Sequence, residues 1–108
     1  MAEYEVFLTA DAERDLDDIA DYIERHDSSD SADYVYTHIK EAILKLETLP
    51  SRGRGVPELK DIGLADYREV RFKPYRIVYF VSEKRVFVHA IFDGRRDAED
   101  VLATRFLR

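Results

Sequence analysis

The stretch from Tyr67 to Asp97, YREVRFKPYRIVYFVSEKRVFVHAIFDGRRD, constrains the fold more than any other part of the chain. Its alternation and turn residues predict three short strands, Tyr67–Phe72, Tyr75–Ser82 and Arg85–Phe92. Tight turns at Lys73-Pro74 and Glu83-Lys84 join them, and Asp93-Gly94 ends the sheet. In the first strand Val70 and Phe72 alternate with Glu69 and Arg71, which predicts one packed face and one polar face. The central run RIVYFV is apolar on both faces, as expected of a strand covered on both sides.

The same stretch concentrates basic charge. From Arg68 to Arg96 there are eight Lys or Arg against three acids, whereas residues 1–50 hold four basic and fourteen acidic residues. A basic sheet on an acidic half suggests a surface that meets an anionic or acidic partner. The whole chain carries a net charge of −6, which argues against broad, non-specific nucleic-acid binding.

The first half of the chain is dominated by helical patterns. Tyr4–Thr9 is a candidate first strand, and Thr9 is placed to cap a helix from Ala10 to about His26, with Asp11 and Glu13 in its first turn. Ala12, Leu16, Ile19, Ala20 and Ile23 form its apolar stripe, and Asp15, Asp17, Asp18 and Asp21 are assigned to a solvated face. After the turn cluster HDSSDS, Asp30 or Ser31 is the expected cap of a second helix. Val35, Ile39, Ala42, Ile43, Leu46 and Leu49 lie on one side of that helix, which stops at Pro50. The two helices form an antiparallel hairpin that needs a further surface to bury against. Residues 51–66 are the one long irregular segment, holding three of the four glycines. Residues 97–107 predict a short final helix with Val101, Leu102 and Phe106 on one side.

A chain of 108 residues makes one domain, 1–108, of α+β class, and 45% apolar residues suffice for a core. There is no cysteine, hence no disulfide framework and no thiolate metal site. No histidine pair has metal-ligand spacing, and no cofactor motif is present, so neither a metal nor a cofactor is expected. No apolar run is long enough to span a membrane, and the N-terminus lacks the pattern of a secretory signal, which gives a cytoplasmic expectation.

The candidate functional side chains are mostly arginines. Arg68, Arg71, Arg76, Arg95 and Arg96 form the candidate binding set, because clustered guanidinium groups suit phosphate or carboxylate partners. The alternative is a set of strand ends ion-paired to Glu69, Asp93 and Asp97. Arg76, flanked by aromatic residues, is expected to be a structural donor to carboxylates or loop carbonyls. His89 is the one histidine on a predicted strand, a general acid or base by type or else a hydrogen-bonded strand residue. Arg52 and Arg54 are weaker candidates for guiding an anion.

The order of these features is similar to that of the RelE/ParE superfamily of bacterial toxins from type II toxin–antitoxin modules. AERDLDDIADYI, Leu49-Pro50 followed by GRGVPEL, YREVRFKPYRIVYFV and the terminal DGRRD carry the resemblance, which covers nearly the whole chain. The details look more like the ParE branch, often described as plasmid-stabilisation proteins. The resemblance implies a β-α-α-β-β-β(-α) fold with a helical hairpin packed on a small antiparallel sheet. It also implies a cognate antitoxin, a hetero-oligomer with it, and an acidic or amphipathic antitoxin tail on the basic sheet. ParE-like members poison DNA gyrase and arrest growth. RelE-like members cut messenger RNA on the ribosome, using basic sheet residues and a tyrosine near the C-terminus.

Carried over residue by residue, the ribonuclease pattern places Arg71 and Arg96 at basic positions, with His89 as a further proton carrier. The tyrosine position is Leu102, which removes the phenol. Asp93 stands where many members carry histidine. The expectation is therefore a gyrase-directed toxin that is not an enzyme. The alternatives are a ribosome-dependent endoribonuclease and an antitoxin-binding module without toxicity.

Overall fold

The computed structural model describes residues 3–107. A strand β1 (Glu5–Leu8) leads into helix α1 (Ala10–His26) and helix α2 (Ser29–Leu44). Two single 3₁₀ turns, Lys45–Glu47 and Pro50–Arg52, follow. Next come a two-residue strand β2 (Arg54–Gly55) and a one-turn helix α3 (Pro57–Lys60). The chain continues through β3 (Arg68–Phe72), β4 (Tyr75–Ser82) and β5 (Arg85–Asp93), and ends in α4 (Ala98–Phe106).

Local chemistry fixes the helix ends. The Thr9 hydroxyl accepts from the Ala12 amide at 3.1 Å, and Asp11 and Glu13 occupy the positive end of α1. For α2 the cap is Ser28, which accepts from the Ser31 amide at 3.0 Å, in place of the expected Asp30 or Ser31. The hydroxyl has to precede the first turn to reach a free amide, and Ser28 is the residue so placed. Helix α2 tightens at Lys45, before Pro50, while Leu46 remains buried.

The sheet order is β1-β5-β4-β3-β2. The three predicted strands pair antiparallel, and β2, in the segment expected to be irregular, extends them. The antiparallel expectation does not extend to β1, which runs parallel to β5 from Glu5↔Arg85 to Leu8↔Val88. A parallel neighbour needs a long crossover, and here both hairpin helices lie within it.

One residue decides which side chains of β5 meet which core. Val78 pairs with Ala90 and Tyr79 pairs with Val88, so His89 is the extra residue of a β-bulge. Before the bulge, Val86 and Val88 join the core beneath α1 and α2, with Ala12, Leu16, Ile39 and Ile43. Beyond it Ile91 joins that core, while Ala90 and Phe92 turn to a second core with Val56, Leu59, Val78 and Leu102. Helix α3, α4 and the loop before β3 thus cover the other face of the sheet. Glu69, expected on a polar face, is buried under this cover.

The loop that enters this cover is moored by one phenol. Tyr79 donates to the Pro50 carbonyl and accepts from the Gly53 amide at 3.0 Å. A Cβ on Gly53 would meet the Tyr79 oxygen and the Glu69 carbonyl well inside contact distance, so only glycine fits.

Strand β1 is shorter than β5, which leaves part of the outer edge of β5 without a strand. Thr9 donates its amide to the Val88 carbonyl at 3.0 Å, the last backbone bond of that pairing. Past it, the Asp15 carboxylate accepts from the Ile91 amide at 2.9 Å, and Arg105 donates to the His89 carbonyl at 2.7 Å. Arg105 also donates to both Asp15 oxygens, at 2.8 and 2.9 Å. Asp15 therefore belongs to the sheet edge and not to the solvated face first assigned to it. Replacing it leaves the Ile91 amide without its acceptor and takes from Arg105 two of its hydrogen bonds. Asp15→Ala should cost about 2 kcal/mol in urea unfolding, with Asp15→Asn costing less because an amide oxygen still accepts.

Candidate functional site

The sequence-selected arginines divide into committed and uncommitted groups. Arg76 is only 4% exposed, and Glu69 beside it 1%. Its Nε donates to Glu69, and its two terminal nitrogens reach Glu58 at 2.8 and 3.1 Å. Arg54 adds a bond to Glu69 at 3.0 Å. The guanidinium also lies over the Phe92 ring at 5.1 Å. Its hydrogen bonds to the Glu58 and Glu69 carboxylates hold the Arg76 guanidinium above its ordinary pKa, against its burial. The Arg76 bond in turn lowers the Glu58 carboxyl. Arg76 is thus withdrawn from any partner, and it clamps α3 to β3 and β4.

Arg68 donates to the Gly53 carbonyl at 2.8 Å and serves the same loop. Arg95 is exposed, but its side chain grips Asp93 through three contacts, the shortest 2.6 Å, and its amide donates to Asp93 at 2.9 Å. The Arg95 bond lowers the Asp93 carboxyl. This turn is pinned by Gly94, whose amide donates to the Pro74 carbonyl at 2.9 Å and whose missing Cβ makes room for Arg76. Arg71 and Arg96 are exposed and enter no ion pair among the described residues.

The three candidates for phosphate and proton chemistry are not gathered. Arg96 lines a groove of about 660 Å³ whose lining includes neither Arg71 nor His89. His89 instead packs among Tyr67 and Phe106, with ring centroids at 5.4 and 5.8 Å. Burial lowers its pKa, and Arg105 adds to the effect. Leu102 is 1% exposed and packs with Val78, Ala90 and Phe92. The position assigned to a catalytic tyrosine therefore points into the core.

The groove at Arg96 runs between α1 and the turn after β5. A second groove of about 510 Å³ runs between α2 and the β3–β4 turn, and the two share Ile23, Asp27 and Tyr75. Together they form one furrow around the tip of the helical hairpin. Tyr22 and Tyr34 flank it, 60% and 57% exposed. Burial, reinforced by the Asp93 carboxylate, raises the Tyr75 phenol above its ordinary pKa. Sequence reasoning missed this furrow. The one available signal was the set of aromatic residues, Tyr22, Tyr34 and Tyr75, outside the apolar stripes. Among the described residues no cluster of His, Asp and Glu is arranged to hold a metal, and no helix is long and apolar enough to cross a membrane.

The family model for the ParE toxin of the type II toxin–antitoxin system parDE matches residues 6–98. Among solved structures the chain is similar to a chromosomal ParDE toxin–antitoxin system from P. aeruginosa. That likeness has a TM-score of 0.69 and 21% identity, covering 84% of this chain and 96% of the other. It is also similar to the toxin–antitoxin complex RelBE2 from Mycobacterium tuberculosis (TM-score 0.63, 20% identity, 84% and 98% covered). A mutant of the E. coli toxin RelE in the free state gives a TM-score of 0.61 at 18% identity, with 100% and 98% covered. These likenesses show the fold. No curated protein matches the chain.

Two measurements probe the Arg76 cluster. Arg76→Met strands a buried carboxylate and should cost about 3–5 kcal/mol in chemical unfolding, with Arg76→Met/Glu69→Leu recovering a large part. The folded-state pKa of Glu58 lies below its ordinary 4.5, so its stabilisation is full above that value and is lost as pH falls through the folded-state pKa. The stability gap between the wild type and Glu58→Gln should be constant near neutrality and close as pH drops below 4.5.

Proposed function

The chain belongs to the ParE toxin family of type II toxin–antitoxin systems, and from that premise we propose that it arrests its target by binding and not by cutting. The target in this reading is DNA gyrase, and a cognate antitoxin holds the toxin inactive in a hetero-oligomer. The observation that carries the reading is the placement of Leu102 in the second core.

Cleavage of RNA by attack of a ribose 2′-hydroxyl requires a group that removes the hydroxyl proton. Arginine does not deprotonate in proteins, so Arg71 and Arg96 supply charge and hydrogen bonds but remove no proton. Leu102 has no proton to exchange. His89 packs against two aromatic rings and lies outside the groove at Arg96. A net charge of −6 further weakens affinity for a polyanion such as the ribosome. Binding to a protein target needs none of that chemistry. An antitoxin partner is supported by the family, and by the ParDE and RelBE2 structures, which belong to toxin–antitoxin assemblies.

The test is a side-by-side assay with purified toxin. Gyrase supercoiling should be inhibited and cleaved-DNA complexes should accumulate, while messenger RNA on translating ribosomes stays intact. Cuts at codon positions with unaffected gyrase would overturn the reading. Normal growth on expression without the antitoxin would instead favour a module that only binds the antitoxin.

A further inference from the structure

We infer that the furrow around the hairpin tip receives a basic amphipathic segment of the antitoxin, with apolar side chains on its floor and Lys or Arg toward the α1–α2 wall. The inference rests on the antitoxin partnership proposed above and names the chemistry of the segment that makes it. Its polarity is opposite to an acidic tail laid on a basic sheet.

Apolar side chains line both grooves. Ile19 and Ile91 lie in the first groove, Val35 and Phe72 in the second, and Ile23 in both. The flanking aromatic rings are held in place before anything binds. Tyr22 stacks on His26, and Tyr34 lies tilted against His38, each with centroids 4.0 Å apart. Each histidine Nδ1 is in turn hydrogen-bonded to the carbonyl of its tyrosine, at 2.9 and 2.7 Å. Exposed aromatic side chains already fixed in orientation lose little entropy on contact, which favours them as binding anchors. A furrow that bends around Tyr75 and Ile23 suits a chain segment better than a compact small molecule.

Charge selects the segment. On the helical wall, Asp18, Asp27 and Asp30 line the furrow and enter no ion pair among the described residues. Two other charges of the lining are already neutralised, Asp15 by Arg105 and Asp93 by Arg95. The strand-side wall offers only Arg96 and Lys73 as uncommitted cations. The hairpin behind the acidic wall belongs to the half of the chain with fourteen acids and four basic residues. Its field attracts a basic segment and repels an acidic one. An acid on the far edge of the segment would meet Arg96.

The experiment uses the full-length toxin and the product of the short reading frame beside its gene. Co-purification first establishes the complex. Overlapping peptides of that product are then titrated by calorimetry at low and high salt, with hydrogen exchange reporting where they bind. The expected outcome is a peptide of net positive charge that protects the backbone around Ile23, Tyr34 and Tyr75 and binds more weakly as salt rises. Asp18→Lys/Asp27→Lys should weaken it about tenfold or more. Asp33→Lys, exposed on α2 outside the furrow, should change affinity by less than about twofold. Equal melting temperatures for the three proteins exclude a folding artefact. A stable complex whose furrow peptide is acidic, or one that tolerates Asp18→Lys/Asp27→Lys, overturns the inference and leaves the toxin–antitoxin reading standing. Failure to form any complex overturns the partnership itself, and the inference with it.

Discussion

The guanidinium of Arg76 holds the second face of this sheet closed. Helices α1 and α2 present long apolar stripes and bury the first face by area alone. The cover of the opposite face is slight: one turn of α3, nine residues of α4 and the loop between α3 and β3. Val56, Leu59 and Leu102 give it a small core. Arg76 fastens it by taking Glu69 from the sheet and Glu58 from α3 at once. A charge buried this deeply is tolerated because two carboxylates and an aromatic ring surround it. Gly94 makes room for its stem, so the position of the Arg95–Arg96 turn follows from the same cluster.

Much of this was legible in the sequence, and for identifiable reasons. The three C-terminal strands, α1 and the Thr9 cap are encoded by local periodicity and by a hydroxyl at the right offset. Features that depend on distant residues were not legible. The bulge at His89 moves Ala90, Ile91 and Phe92 to faces opposite to those given by strict alternation, and no residue type announces it. Glu69 reads as solvent-facing because the cover over it, with Glu58 on α3, comes from a segment that reads as irregular, while its own partner is Arg76 on the neighbouring strand. Asp15 lies on the edge of the α1 stripe, next to Leu16, and only the short length of β1 gives it an amide to cap.

The basic stretch that dominates the sequence is partly consumed within the fold. Arg68 serves loop carbonyls, Arg76 two carboxylates and Arg95 the adjacent Asp93, and Lys84 lies over the Tyr4 ring at 4.9 Å. What remains for a partner is narrower: Arg71 on the sheet, Lys73 and Arg96 at its end, and Arg85 at the far turn. The electrostatic character of the furrow is consequently set as much by α1 and α2 as by the strands. A count of charges along the chain does not see which of them cancel in place.

The pairing of β1 with β5 also bears on how the protein is made. Residues 5–8 leave the ribosome long before the strand they lie against, which spans 85–93. The contacts within the hairpin are local, so α1 and α2 are complete while the sheet that buries their stripes is still being synthesised. The Asp15–Arg105 bridge, between the first helix and the last, is later still. Synthesis therefore passes through a long interval in which the apolar faces of α1 and α2 are made but unburied. Any chain that engaged those helices in this interval would compete with the unfinished sheet for the same apolar stripes.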